Sequence, residues 1–303
     1  FQKNGTYVRE FGTSGSPFAI DFMGNRLVVA NGEHHTVRIF ETNGTLVTTI
    51  GTGTASSDAG QFNANHGVAV SPSGDLHVAC SNNHRIQVFD ANGTYLRKIG
   101  FAGSQYFDPT GLLVDEDGNH YVADGMGHRI LKWDENATPL SIIATSGPAE
   151  GSVKEPRQMA FGPSGRIYAV ERDNNRVSVF ERNGTFVRSF GSNLDKPEGV
   201  TVSPQGEVYV ADTNNHRIQV FDLNGSFRRV FGEQGDIDGR FDRPMGLGFN
   251  ASGELLVADF GNARIQAIDA NGSFLWKMNH NVHGEDLRSL SLSRDGLILL
   301  GAR

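Results

Sequence analysis

The stretch GVTVSPQGEVYVADTNNHRIQVFDLNGSFRRVFG, residues 199–232, decides the fold. Four short runs at 199–202, 208–211, 217–221 and 227–231 are rich in β-branched and aromatic side chains. Gly, Asn, Asp and Pro separate them. Runs of this length between turn formers read as an antiparallel strand meander. The unit recurs at about 17–51, 66–100, 110–145, 157–191, 198–232 and 245–279. The first strands read GVAV, GLLV, QMAF, GVTV and GLGF in units two to six. The second strands read LVVAN, LHVAC, HYVAD, IYAVE, VYVAD and LLVAD.

Asn-Gly turns stand at Asn4, Asn43, Asn92, Asn183, Asn224 and Asn271, with Asn136-Ala137 as the one departure. Asn-Gly is the strongest short hairpin signal, and its usual form puts both turn residues at positive φ. A period in the forties with four strands and no helical pattern predicts an all-β radial array, a β-propeller of four-stranded antiparallel blades. The C-terminal SLSLSRDGLILLGAR supplies a further first and second strand, and the N-terminal YVREFG a further fourth strand. The expected architecture is one propeller over 1–303 with seven blades, the last a composite of 288–303 and 1–12. Six blades with irregular terminal pieces is the alternative. Closure removes the open sheet edges that would otherwise invite aggregation.

Composition narrows the function classes. The formal net charge is -7, so no broad basic field is available for sequence-independent nucleic-acid binding. The lone cysteine, Cys80, excludes an intrachain disulfide and reads as a half-buried filler. No apolar run approaches membrane-spanning length, and FQKNGTYVRE lacks the features of a signal peptide. The expectation is a soluble, monomeric domain with no membrane contact. A cytoplasmic setting is favoured and an extracellular one is the alternative. Every Asn turn reads N-G-[TS] or N-A-T, which turn chemistry explains in the cytosol and which would be glycosylation sequons in a secretory compartment.

The block VYVADTNNHRIQVFDLNG resembles the NHL repeat family, with Asn215-His216-Arg217 and Asn83-His84-Arg85 in the naming position. Asn175-Arg176 and Gly127-His128-Arg129 are looser copies. The resemblance implies a β-propeller, mostly six-bladed in the family. It also implies three kinds of activity: protein or peptide binding, RNA binding, or zinc-dependent amidating lyase chemistry.

Repeated positions are expected to be architectural. These are the acids Asp124, Glu171, Asp212 and Asp259 and the third-strand arginines Arg85, Arg129, Arg176, Arg217 and Arg264. His35, His84, His128 and His216 share one repeat position and so lie in different blades, which disfavours a common metal site. His280 and His283 with Glu285 or Asp286 have zinc-like spacing in a loop without a second cluster. No metal or other cofactor is therefore expected. By contrast, the position before each first strand varies: His66, Thr110, Arg157, Glu198, Met245 and Arg288, with Ser16 or Pro17 in unit one. In a propeller these residues ring the channel mouth, next to Arg172 on the loop face. A position free of the scaffold's demands is available to a ligand. Lys154, Arg157, Arg166, Arg172 and Arg182 are local basic groups in and near unit four, with Lys154, Arg157 and Arg172 assigned to the loop face, where Glu150, Glu155 and Glu171 partly cancel them. The expected function is a non-enzymatic scaffold recognising a protein or peptide there. The alternatives are RNA binding and a metal-dependent propeller enzyme.

Overall fold

The computed structural model describes residues 17–23, 26–31, 34–41, 46–99, 107–135, 138–147, 150–249, 253–262, 264–279, 287–292 and 298–302. Within them lie six four-stranded antiparallel sheets, spanning 17–50, 65–99, 109–144, 156–190, 199–231 and 244–279. They are called sheets one to six. A two-stranded sheet of Leu287–Leu292 and Ile298–Ala302 follows. In sheet five the strands are Gly199–Val202, Glu207–Asp212, Arg217–Asp222 and Phe227–Phe231. The first strand of each sheet lies against the first strand of the next. Leu287–Leu292 lies against both Pro244–Phe249 and Pro17–Met23, so the series closes as a β-propeller. The strand expected from 1–12 falls outside the described residues, and so does the full make-up of the composite blade.

The hairpin turns depart from the expected geometry. Gly93, Gly184, Gly225 and Gly272 hold φ of 86, 91, 86 and 90°, whereas no asparagine before them takes a positive φ. In sheets two, five and six the turn is closed by an aspartate two residues before the Asn. Asp90 Oδ1 accepts from the Asn92 and Thr94 amides at 2.9 and 2.8 Å. Asp222 does the same for Asn224 and Ser226, and Asp269 for Asn271 and Ser273. Register shifts at Val88/Phe89 and Val220/Phe221 mark the extra residue. The signature is therefore a bulged hairpin in which only the glycine is left-handed.

The core is divided among the inter-sheet spaces. Among the described residues one apolar cluster fills each of the five spaces between sheets one and six, such as Tyr168, Val170 and Val177 of sheet four against Val200, Val208 and Phe221 of sheet five. The linkers are not wholly polar. Phe62, Phe107, Val153, Leu194 and Phe241 each plug the space between two sheets, and four of the five are at 0% exposure. Burying a side chain of this size stabilises by about 1.5–3 kcal/mol. Toward the axis the inner strands approach closely. A Cβ on Gly199 would lie 1.9 Å from the Met245 carbonyl, and one on Gly111 would lie 2.5 Å from the Arg157 carbonyl. Glycine at these first-strand positions is what admits the neighbouring backbone.

One interface is built differently. His77 of sheet two and His120 of sheet three, each 1% exposed, meet with His120 Nε2 3.0 Å from His77 Nδ1. Burial, aided by His120 and Arg97, pulls His77 down to about 3, and burial also lowers His120. The folded state therefore disfavours protonation of both rings. Stability from this pair is intact above pH about 6.5, the unfolded histidine value, and is lost progressively as pH falls toward 3. Thermal melts should show the double variant His77→Tyr/His120→Leu losing less stability between pH 7 and 4 than the parent. Parallel profiles would contradict this assignment.

Candidate functional site

The repeated residues at the loop-face end of each sheet hold one another. Asp212, at 0% exposure, accepts from the Asp195 amide at 2.7 Å and from Asn215 Nδ2 at 3.0 Å. It also accepts from Arg217 Nε and Gln219 Nε2, both at 2.8 Å. Asp259 takes the amide of Asp242 with Asn262 and Gln266. Asp124 takes the amide of Asp108 with Arg129, and Glu171 the amide of Lys154 with Asn174, Arg176 and Ser178. Each buried carboxylate thus pins the incoming linker to the turn between second and third strands. The donors offset the cost of burying the charge. The side chain of Arg264 lies outside the described residues.

A second tie runs between sheets. His35, His84, His128 and His216 end the turn after the second strand with φ of 50, 52, 49 and 54°. His128 Nδ1 accepts from the Glu155 amide at 3.0 Å, His216 Nδ1 from the Arg243 amide at 3.1 Å and His35 Nδ1 from the Ala64 amide at 3.3 Å. Sheet four has Asn175 there, and its side-chain oxygen accepts from the Lys196 amide at 2.8 Å. His280 and His283 lie outside the described residues. Among the described residues no group of three or more His, Cys, Asp or Glu is placed to hold a metal ion.

Cys80 replaces the acid in sheet two and is fully buried rather than half-buried. Burial pushes its thiol up to about 11, so it is not a nucleophile at neutral pH. Gln87 Nε2 reaches its sulfur at 3.7 Å. Arg85 turns instead to the carbonyls of Ser57, Asp58 and Gln61 at 2.6, 2.6 and 3.0 Å, and its Nε has no partner.

The variable ring resolves into unlike parts. The Thr110 hydroxyl donates to the Pro156 carbonyl at 2.8 Å and so ties sheet three to sheet four. Met245 sets its carbonyl against Gly199. The side chains of His66 and Arg288 lie outside the described residues. Arg157 and Glu198 come together with Arg172 and Glu155. Arg172 Nη1 lies 3.1 Å from both Glu155 oxygens, and Arg172 Nε is 2.8 Å from Glu198. Arg157 Nη2 contacts Glu155, and Arg157 Nε stands 3.5 Å from Glu198. Two guanidinium groups and two carboxylates alternate at the tops of sheets four and five. Both Nε–H groups lack aligned acceptors. Burial raises the Glu198 carboxyl against the pull of Arg157 and Arg172. Burial lowers Arg172, but Glu155 and Glu198 outweigh it and the net direction is up. Glu155 had no sequence signal of its own beyond its charge, and only the ring order brings it between the two arginines.

The basic groups in and near unit four are paired with carboxylates. Lys154 pairs with Asp173 at 3.5 Å, as does Lys196 at 2.8 Å. Arg166 pairs with Glu181 at 2.8 Å, and Arg182 with Glu116 at 2.7 Å.

The NHL repeat model matches residues 66–89 and 194–221, two stretches of the propeller. No curated protein sequence matches it. Among solved structures, a streptogramin B lyase is similar at TM-score 0.81 and 15% identity, over 98% of this chain and 94% of that one. A catalytically inactive histidine-to-alanine variant of virginiamycin B lyase from Staphylococcus aureus, solved with quinupristin, gives 0.78 and 14% over 97% and 94%. Hydrazine synthase from Kuenenia stuttgartiensis gives 0.73 and 15% over 98% and 99%. At this identity the likeness is one of fold. It nevertheless corrects the expectation of a non-enzymatic module, because propellers of this shape include lyases and the fold gives no ground for excluding catalysis.

The Cys80 exception yields a direct check on the carboxylate ties. Cys80→Asp supplies the acceptor that Arg85 Nε lacks. Denaturant unfolding should show a gain of about 1 kcal/mol. A loss of that size would mean that the acid contributes nothing at this position.

Proposed function

We propose that the chain recognises a peptide or peptide-like ligand at the channel mouth, gripped by Arg157, Glu155, Arg172 and Glu198. The observation that carries this reading is the alternation of two guanidinium groups and two carboxylates at positions where the repeat makes no demand. A charge-balanced quartet offers donors and acceptors side by side, which complements amide groups and charged termini. It offers little to a polyphosphate backbone, which needs net positive surface. The pairing of Lys154, Arg166 and Arg182 with carboxylates weighs against RNA for the same reason. The close-packed inner strands at Gly111 and Gly199 give the ligand a rigid floor, so little ordering cost is added on binding.

The test is a pool of tryptic peptides incubated with the protein, recovered by filtration and identified by mass spectrometry. The parent should enrich a peptide subset at least about tenfold over the variant Arg172→Met/Glu155→Gln, an affinity difference of about 1.4 kcal/mol or more. That variant removes one cation and one anion together, so its melting temperature should stay within a few degrees of the parent. Recovered peptides of altered mass would show that bond cleavage accompanies recognition. Equal enrichment by both proteins, or retention of RNA with a steep salt dependence, would overturn the reading.

A further inference from the structure

The linkers before sheets two, five and six run from a positive-φ glycine, Gly51, Gly191 or Gly232, to an apolar plug, Phe62, Leu194 or Phe241. Residues 52–61 and 233–240 fill the interval before sheets two and six, but only Ser192 and Asn193 fill it before sheet five. The longer linkers use their extra residues to make a reverse turn. The Gln61 amide donates to the Asp58 carbonyl and the Arg240 amide to the Ile237 carbonyl, both at 3.1 Å. The third residue of each turn is a glycine, Gly60 or Gly239, at φ of 77 or 83°. Its amide donates to a glutamine of the third strand: Gly60 to Gln87 Oε1 at 2.8 Å and Gly239 to Gln266 Oε1 at 2.9 Å. Its α-carbon lies over the aromatic residue that opens the fourth strand. A Cβ on Gly60 or Gly239 would stand 3.9 or 4.0 Å from the Cβ of Tyr95 or Phe274.

Sheet five keeps the receiving groups and lacks the turn. Gln219 occupies the place of Gln87 and Gln266, third in the third strand, and is 4% exposed. Its Nε2 donates to Asp212 at 2.8 Å and to the Asn193 carbonyl at 3.4 Å, as Gln266 Nε2 does to Asp259 at 3.1 Å and the Arg240 carbonyl at 2.6 Å. Both partners can only accept, which fixes the orientation of the amide. Among the described residues no donor then reaches Gln219 Oε1. Phe227 keeps the pose of Tyr95, edge-on to a phenylalanine of the third strand. The Phe221 and Phe227 rings stand 6.1 Å apart at 79°, and those of Phe89 and Tyr95 5.9 Å apart at 76°. With no glycine over it, Phe227 is 56% exposed. Val230, opposite Gln219, is also exposed, whereas Lys98 and Lys277 stand opposite Gln87 and Gln266. A cavity of about 210 Å³ is left in the wedge between sheets four and five, lined by Gln219, Phe221, Phe227, Val230 and the short linker.

We propose that this wedge is a docking site for a partner polypeptide that inserts a glycine-bearing reverse turn. The glycine amide donates to Gln219 Oε1, and its α-carbon lies on Phe227. The linkers before sheets two and six put that same group in that same place. It is a second site, independent of the quartet at the channel mouth. The probe is a cyclised peptide, Glu-Gln-Gly-Asp-Ile-Asp-Gly-Arg, copied from residues 233–240. Cyclisation removes most of the ordering cost of a free peptide. Saturation-transfer NMR should show it bound to the parent with a Kd of about 1 mM or tighter, the strongest transfer falling at the second glycine. The same peptide with valine for that glycine should not bind, since a β-branched residue resists positive φ. Phe227→Ser changes an exposed side chain, so it should fold and bind at least about fivefold more weakly. Grafting 233–240 between Gly191 and Leu194 in place of Ser192 and Asn193 fills the wedge from within and should abolish transfer; if the graft fails to fold, Phe227→Ser decides. Arg172→Met/Glu155→Gln should bind the peptide as the parent does. No transfer to the parent, equal binding by Phe227→Ser or by the valine peptide, or loss of binding in the Arg172→Met/Glu155→Gln variant would overturn the proposal.

Discussion

A buried carboxylate at the end of the second strand holds each linker to its sheet, and the rest of the molecule is arranged around that tie. Asp212 shows it most fully. One backbone amide from the incoming linker and three side chains from its own sheet converge on two oxygens with no solvent access. Removing such an acid would strand several buried donors, at a cost of about 3–5 kcal/mol for the broken charge pair alone. Because the tie recurs in sheets three to six, the linker tops are fixed in space before any ligand arrives. Three of the αL histidines, His35, His128 and His216, add the link to the next sheet, since the amide each of these accepts belongs to the following linker.

Rigid tops are what turn a variable position into a usable one. Arg157 and Glu198 start neighbouring inner strands, and Arg172 leaves the turn anchored by Glu171 and Arg176. None of the three needs to move to reach the others. The same logic serves the wedge before sheet five, where a short linker leaves Gln219 Oε1 unpaired and Phe227 exposed without disturbing strand pairing. In both places the repeat sets the backbone, and its exceptions set the chemistry.

The strands were legible because turn chemistry brackets them. In sheet five the predicted and observed boundaries differ by a residue at most. Turn type was not legible, because Asn-Gly draws the eye from the aspartate two residues earlier that closes the turn. The linker plugs were missed for a related reason: one Phe or Val among Gly and Asp carries no periodicity. The quartet was half visible. Arg157, Arg172 and Glu198 stood out by their place in the repeat, but which acids neutralise them depends on how linkers lie across two sheets. The histidine pair left a signal that strand-by-strand comparison would have found. HYVAD opens on His120 where IYAVE and LLVAD open on an aliphatic residue, and LHVAC has His77 where three others have Tyr.

Native-state hydrogen exchange tests the carboxylate tie most directly. The Asp195 and Asp242 amides sit in irregular linkers, yet each donates to a buried carboxylate. If the tie holds the fold, these two amides should exchange only through the global opening that governs the core strands. Exchange at the rate of the exposed linker amides around Asp236 would contradict it.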